Sequence, residues 1–209
     1  MSRLIHLTEE VIDQTLEDLH AILDIPEDRT RPLRLHHPSF RDFLLDKGRC
    51  SDPNPQKRGN SPFWVDERET HERLTSKCLQ LMSSPKGLKQ NMCNLTRPGT
   101  LRSEIDSRTI DDGLPPEMRY ACRYWVHHLE QSKGRICDGD SVHTFLQKYF
   151  LYWLEALSLI GSASESIGMI DELQSMTSVS CPAILTLTYT HKDPIASNSR
   201  RNLKLSTGC

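Results

Sequence analysis

The sequence predicts an all-α chain. Three observations carry the prediction. Apolar residues recur at three- and four-residue intervals in several separate stretches, which is the helical period. Residues that open helices stand directly before those stretches, and Gly or Pro stands near their ends. The segment KGRCSDPNPQKRGNSP (47–62) is polar and rich in Pro and Gly, which reads as a loop or linker between helical parts.

The first element is an amphipathic helix over residues 8–23. Thr8 is a suitable N-cap, and Glu9 and Glu10 complement the positive end of the helix dipole. Val11, Ile12, Leu16, Leu19, Ile22 and Leu23 form one apolar stripe, and Pro26 stops the helix. Arg31-Pro32-Leu33-Arg34-Leu35 is extended, because Pro32 fixes φ and removes a donor. His37 is extended because a proline follows it. A second helix runs from Pro38 to about Leu45, with Phe40, Phe43 and Leu44 on its buried side. Helix, strand and helix with a charged turn between is the order of half a winged helix.

A third helix covers about 66–83, with an acidic Asp66-Glu67 start and a stripe of Leu74, Cys78, Leu81 and Met82. Residues 84–113 read as irregular, with one short helix near 88–95. Pro115-Pro116-Glu117 opens a helix reaching Gln131, with Met118, Ala121, Cys122, Trp125 and Leu129 on one face. Asp140 or Ser141 caps the next, from Val142 to about Ile160. Val142, Phe145, Leu146, Tyr149, Trp153, Leu154 and Leu157 line its inner side, and Gly161 ends it. Ser164-Glu165 opens a last helix with Ile167, Ile170 and Leu173 facing in. These consecutive helices predict a bundle or solenoid-like domain. After Met176 the helical period is lost. Ala183 to Tyr189 is the one apolar piece there, a stray strand at most, and the remainder reads as a disordered tail. The organisation is therefore 1–46, a partial winged helix; 47–62, a linker; 63–176, a helical domain; and 177–209, a tail.

Composition narrows the function. A formal net charge of −2 gives no basic excess for nucleic acid or an acidic membrane surface. No run of about 18 apolar residues exists for a membrane span. The N-terminus MSRLIHLTEE lacks the apolar core of a signal peptide. Without such a signal, the glycosylation pattern at Asn94-Leu95-Thr96 carries little weight. The seven cysteines are odd in number, widely spaced and free of CxxC. Several fall among apolar residues, where Cys acts as a small hydrophobe. They point to a reducing, cytoplasmic setting.

Candidate chemistry is sparse. His37, Ser39 and Asp42 have triad residue types, but Ser39 and Asp42 share one helix turn and no GxSxG elbow exists. Cys122 with His127-His128, and His71 with Cys78, have ligand types, but adjacent histidines diverge by about 100° around a helix. No metal site is assigned from that spacing. Acid pairs such as Asp111-Asp112 read as solvated turns, and no catalytic residue is assigned.

Six strings carry a family resemblance in order: EVIDQTLEDLHAILDIPED (10–28), RLHHPSFRDFLL (34–45), FWVDERETHERLTSKCLQLM (63–82), LPPEMRYACRYWVHHLEQS (114–132), VHTFLQKYFLYWLEALSLIG (142–161) and SESIGMIDELQSM (164–176). Together they resemble fungal NACHT-type, NLR-like signalling ATPases that usually end in WD repeats. They resemble the part between the ATPase and the repeats. The phosphate-binding pattern GxxxxGKS or GxxxxGKT is absent from this chain, and the tail after Met176 does not resemble the family.

The resemblance implies a non-catalytic regulatory and coupling segment, a fragment without the ATPase and the repeats. It would hold a nucleotide domain closed and pass on a ligand-driven change. It implies that His37, directly before Pro-Ser-Phe, corresponds to a histidine that senses the β-phosphate of ADP in the intact protein. Read from the residues alone, His37 is a turn histidine capping the next helix, since a lone histidine cannot hold a nucleotide. No cofactor is expected for the chain itself. Its expected partners are proteins, including the NACHT ATPase domain of a full-length relative, with no nucleic acid and no membrane. The alternatives are a free-standing helical interaction module or a gene fragment without function.

Overall fold

The computed structural model describes residues 8–26, 31, 33–50, 64–97 and 99–177. It is mainly helical, with a two-stranded sheet near the N-terminus. The expected tail beyond Thr177, with its stray strand at 183–189, and residues 51–62 of the expected linker lie outside the described residues.

Helix α1 spans Glu9–Leu19, four residues shorter than its apolar stripe predicts. Thr8 has extended N-cap dihedrals, but its side chain makes no capping bond. The backbone closes the helix early, with Ile22 N donating to Leu19 O at 2.8 Å. Leu23–Asp24 is then β1, antiparallel to Arg34–Leu35, β2, with Leu23 opposite Leu35 and Asp24 opposite Arg34. His36 N extends the pairing to Ile22 O at 2.9 Å. The sheet ladder satisfies the backbone groups that a longer helix would have used.

Helix α2 spans Ser39–Leu45, as the sequence predicts. Its expected inner residues Phe40, Phe43 and Leu44 are only half-buried, and no residue of α2 is buried. A seven-residue helix beside one short helix and a two-residue hairpin has too little neighbouring surface to close a core. Cys50 folds back onto it, its Sγ donating to Phe43 O at 3.0 Å. Three contacts join this part to the next helix: Val65 N to Leu44 O at 2.9 Å, an Arg41–Glu67 ion pair, and Lys47 over the Trp64 ring.

Helix α3 spans Glu67–Met82, with the Asp66 carboxylate accepting from Glu69 N. Thr75, Cys78, Leu79 and Met82 are buried, while Leu74 and Leu81 of the predicted stripe are half-buried. The helix predicted near 88–95 does not form. The Glu155 carboxylate accepts from the backbone N–H of Asn91 and of Met92, each at 3.2 Å. The Asn91 side chain closes a ring with Leu95, donating to its carbonyl and accepting from its N–H. These bonds take the donors that a helix there would need. A short 3-10 turn, Arg102–Glu104, and helix α4, Ser107–Gly113, appear in the stretch expected to be irregular. Asp106 caps α4 by accepting from Arg108 N at 3.0 Å.

Helix α5 spans Pro116–Gln131, opened by Pro as predicted. Helix α6 spans Ser141–Leu159, capped by the Asp140 carboxylate on His143 N. Gly161 follows with φ +83°, the left-handed region that glycine enters without strain. Helix α7 spans Glu165–Met176. Leu173 is buried and Ile170 half-buried, but Ile167, expected to face in, is 62% exposed. It lies one turn too early in α7 to reach the core.

The core extends from α3 to α7. α3 packs most extensively on α5, α5 also touches α6 and α7, and α3 touches α6. The predicted bundle is thus centred on α5. Its middle holds Trp125 and Trp153, both fully buried, with ring centroids 5.4 Å apart at 70°. That edge-to-face geometry suits the aromatic quadrupole.

Candidate functional site

The strongest sequence candidate is the His37 joint between β2 and α2. Ser39, the first residue of α2, donates its backbone N–H to His37 Nδ1 at 3.1 Å. Ser39 Oγ lies 2.7 Å from the same nitrogen. Nδ1 therefore accepts, and the neutral ring carries its proton on Nε2. His37 performs the capping role that the residues alone suggested, while its Nε2–H remains the edge suited to an anion. All three residues are exposed, and the hydrogen bonds of the described residues do not connect Asp42 to His37 or Ser39. His37 and Ser39 do meet, but by a local turn in which the histidine nitrogen satisfies a helix N-terminus.

A second cluster was not legible in sequence. His71 of α3 and His128 of α5 meet with Nδ1 atoms 2.9 Å apart. His128 Nε2 lies 2.8 Å from Tyr120 Oη, about two turns earlier on α5. His127 stands close to both, its ring 6.0 Å from that of His71 and 5.8 Å from that of His128. His128 is buried, and burial pushes its pKa down to about 4, with His71 and His127 adding to the effect. A neutral His128 then has one donor and one acceptor nitrogen, which its two partners satisfy. Burial also raises the Tyr120 phenol. The cluster is a polar seam across the main helix pair, 57 residues apart in sequence. Among the described residues, no group of three His, Cys, Asp or Glu side chains is arranged to hold a metal ion.

The cysteines pack as small hydrophobes at Cys50, Cys78, Cys93 and Cys122, which are buried and free, whereas Cys137 is exposed. Burial pushes the Cys78 and Cys122 thiols up to about 12, which removes their thiolate reactivity at neutral pH. No described helix is long and apolar enough to cross a membrane.

Comparison with known proteins bears on the family. The chain is similar to vegetative incompatibility protein HET-E-1 of Podospora anserina. The two are 30% identical over 194 residues, covering 84% of this chain and 14% of that protein. The chain thus spans about a seventh of the length of the relative it matches. The similarity agrees with the resemblance to fungal NLR-like proteins carried by the ordered strings. No family profile matches the chain, and no solved structure matches it.

Proposed function

We propose that the chain is the regulatory and coupling segment of a NACHT-type, NLR-like signalling protein, and that it performs no catalysis itself. The observation that carries this reading is the similarity to a vegetative incompatibility protein across 84% of the chain. The proposed organisation is a partial winged helix at 1–46, a linker at 47–62, a helical domain at 63–176 and a tail at 177–209. In this reading the protein works in the cytoplasm, and its partner is the nucleotide-binding domain of a full-length relative.

The geometry is consistent with that role. His37 sits at an exposed joint with Nε2–H available as a donor, while Nδ1 is fixed by the helix it caps. An imidazole so oriented suits a phosphate oxygen supplied by another domain. A donor of this kind, engaged only in the closed ADP-bound state, biases the equilibrium toward that state. Leu33 and Leu35, directly before the joint in the chain, are exposed apolar residues, a surface such a domain would cover.

The test has two arms. The purified chain is titrated calorimetrically with the ADP-loaded nucleotide domain of a full-length relative, and saturable binding that weakens with His37→Ala is expected. In the full-length relative, the same substitution at the matching histidine is expected to speed ADP release about ten- to a hundredfold, from a charge-assisted bond of about 1.5–3 kcal/mol. An unchanged ADP off-rate removes the sensor role. Absent binding removes the coupling role.

A further inference from the structure

The front of α3 is held to the bundle differently from the rest of that helix. Buried residues of α3 begin at Thr75. Over the two turns before it, Glu67 to Leu74, only Thr70, His71 and Leu74 are even half-buried. The hydrogen bond that fastens these turns to α5 is the His71–His128 contact, Nδ1 to Nδ1 at 2.9 Å. The same turns carry the N-terminal part, through Val65 N on Leu44 O, the Arg41–Glu67 ion pair and Lys47 over Trp64.

Two ring nitrogens facing each other at this distance share a single proton: one Nδ1 donates and the other accepts. A first added proton leaves that bond intact, because an imidazolium still donates to a neutral partner. A second does not. Two N–H groups then point at each other, and two like charges stand at contact distance. A third imidazole, His127, has its ring 6.0 Å from that of His71 and 5.8 Å from that of His128, close enough to add to the repulsion.

The surroundings do not offset this charge. On α3, Glu67 lies one turn before His71 but is paired with Arg41, and Arg68 is a further cation on that turn. Cys78, two turns later, acts on Tyr120 as a buried thiol. On α5 the seam meets the phenols of Tyr120 and Tyr124, whose ring centroids are 5.0 Å apart. On α7, Glu165 and Glu172 line a groove with His127 and Arg123, but neither forms a hydrogen bond with His71 or His128. The described hydrogen bonds bring no group from α6 to the pair.

We propose that the His71–His128 pair is an acid-released latch: a second proton on the pair parts the first two turns of α3 from α5 and frees the N-terminal part that carries His37, while the core from Thr75 onward stays packed. The latch belongs to the helix interface and needs no bound nucleotide.

The test is hydrogen exchange by mass spectrometry on the full chain at about pH 7.5 and about pH 5, with rates corrected for the intrinsic effect of pH. Opening at Thr70 to Leu74 is expected to rise about tenfold to thirtyfold on acidification, since His128 binds its proton near 6.5 when open and near 4 when closed. Amides of α6 from Phe145 to Leu157 are expected to stay protected. His128→Gln keeps a donor and an acceptor at the seam without a titrating ring, and is expected to remove the rise. His71→Lys sets a fixed cation against His128 and is expected to open Thr70 to Leu74 already at neutral pH. His71→Gln changes a half-buried position and is expected to cut the rise at least about threefold, because its oxygen accepts from a protonated His128. Circular dichroism confirms folding of each variant. No rise in the native chain overturns the proposal, as does a rise of equal size in His71→Gln. Opening of α6 together with Thr70 to Leu74 overturns it too, since acid then unfolds the domain as a whole.

Discussion

Trp125 and Trp153 offer a sharp test because they share burial and differ in one bond. Trp153 Nε1 donates to Cys122 O at 2.9 Å. Trp125 Nε1 is buried with no hydrogen-bond partner among the described residues. Replacing either indole with phenyl removes the same volume from the same contact, so the cavity costs largely cancel in a comparison. The hydrogen-bond terms do not cancel. Trp153→Phe gives up a satisfied bond, worth about 1 kcal/mol. Trp125→Phe removes an unsatisfied donor, whose burial costs about 1 kcal/mol or more. Trp153→Phe is therefore expected to be less stable than Trp125→Phe by about 2 kcal/mol, or about 4–8 °C in Tm for a chain of this length. Urea and thermal denaturation followed by circular dichroism measure both quantities. Trp125→Phe melting at or below Trp153→Phe would refute the argument and place an unseen acceptor beside Trp125. Truncation is blunter: either tryptophan changed to Ala is expected to cost about 3–5 kcal/mol. A domain holds only about 5–15 kcal/mol, so such variants approach unfolding.

Other consequences follow from single contacts. The folded pKa of His128 is held at about 4, below its ordinary value of 6.5, so the unfolded chain binds its proton first. Its contribution is fully present above pH 6.5 and is lost as pH falls toward 4, a swing on the order of 3 kcal/mol. Denaturation midpoints measured across that range are expected to fall more steeply for the native chain than for His128→Gln. Asp140→Ala removes the carboxylate that accepts from His143 N and Cys137 N, each at 2.7 Å. It is expected to cost about 1–2 kcal/mol in urea denaturation, the value of a strong N-cap. His37→Ala loses only an exposed local cap and is expected to cost less than about 1 kcal/mol by thermal melt. A larger loss would show that the joint is a structural keystone of the N-terminal part.

Within single helices, the sequence determined most of what the structure shows. The starts at Asp66, Pro116 and Asp140, and the end at Gly161, are local chemistry: a cap, a fixed φ or a freed one. The buried faces of α5 and α6 follow from the helical period, which needs no knowledge of the neighbour. The cap of α4 was also there to read, since Asp106 and Gly113 bracket it, but its single buried residue Ile110 makes no stripe. Helix α1 shows where local information stops. Its apolar period continues to Leu23, yet pairing with a strand ten residues later took those backbone groups. The same holds at 88–95, where a carboxylate 63 and 64 residues away claimed the amides. Capping by His37 was readable because its partner is two residues on. The His71–His128 seam and the tryptophan pair's unequal hydrogen bonds were decided by packing alone. Each joins groups on different helices, and helix spacing fixes which residues share a face but not which face another helix will cover.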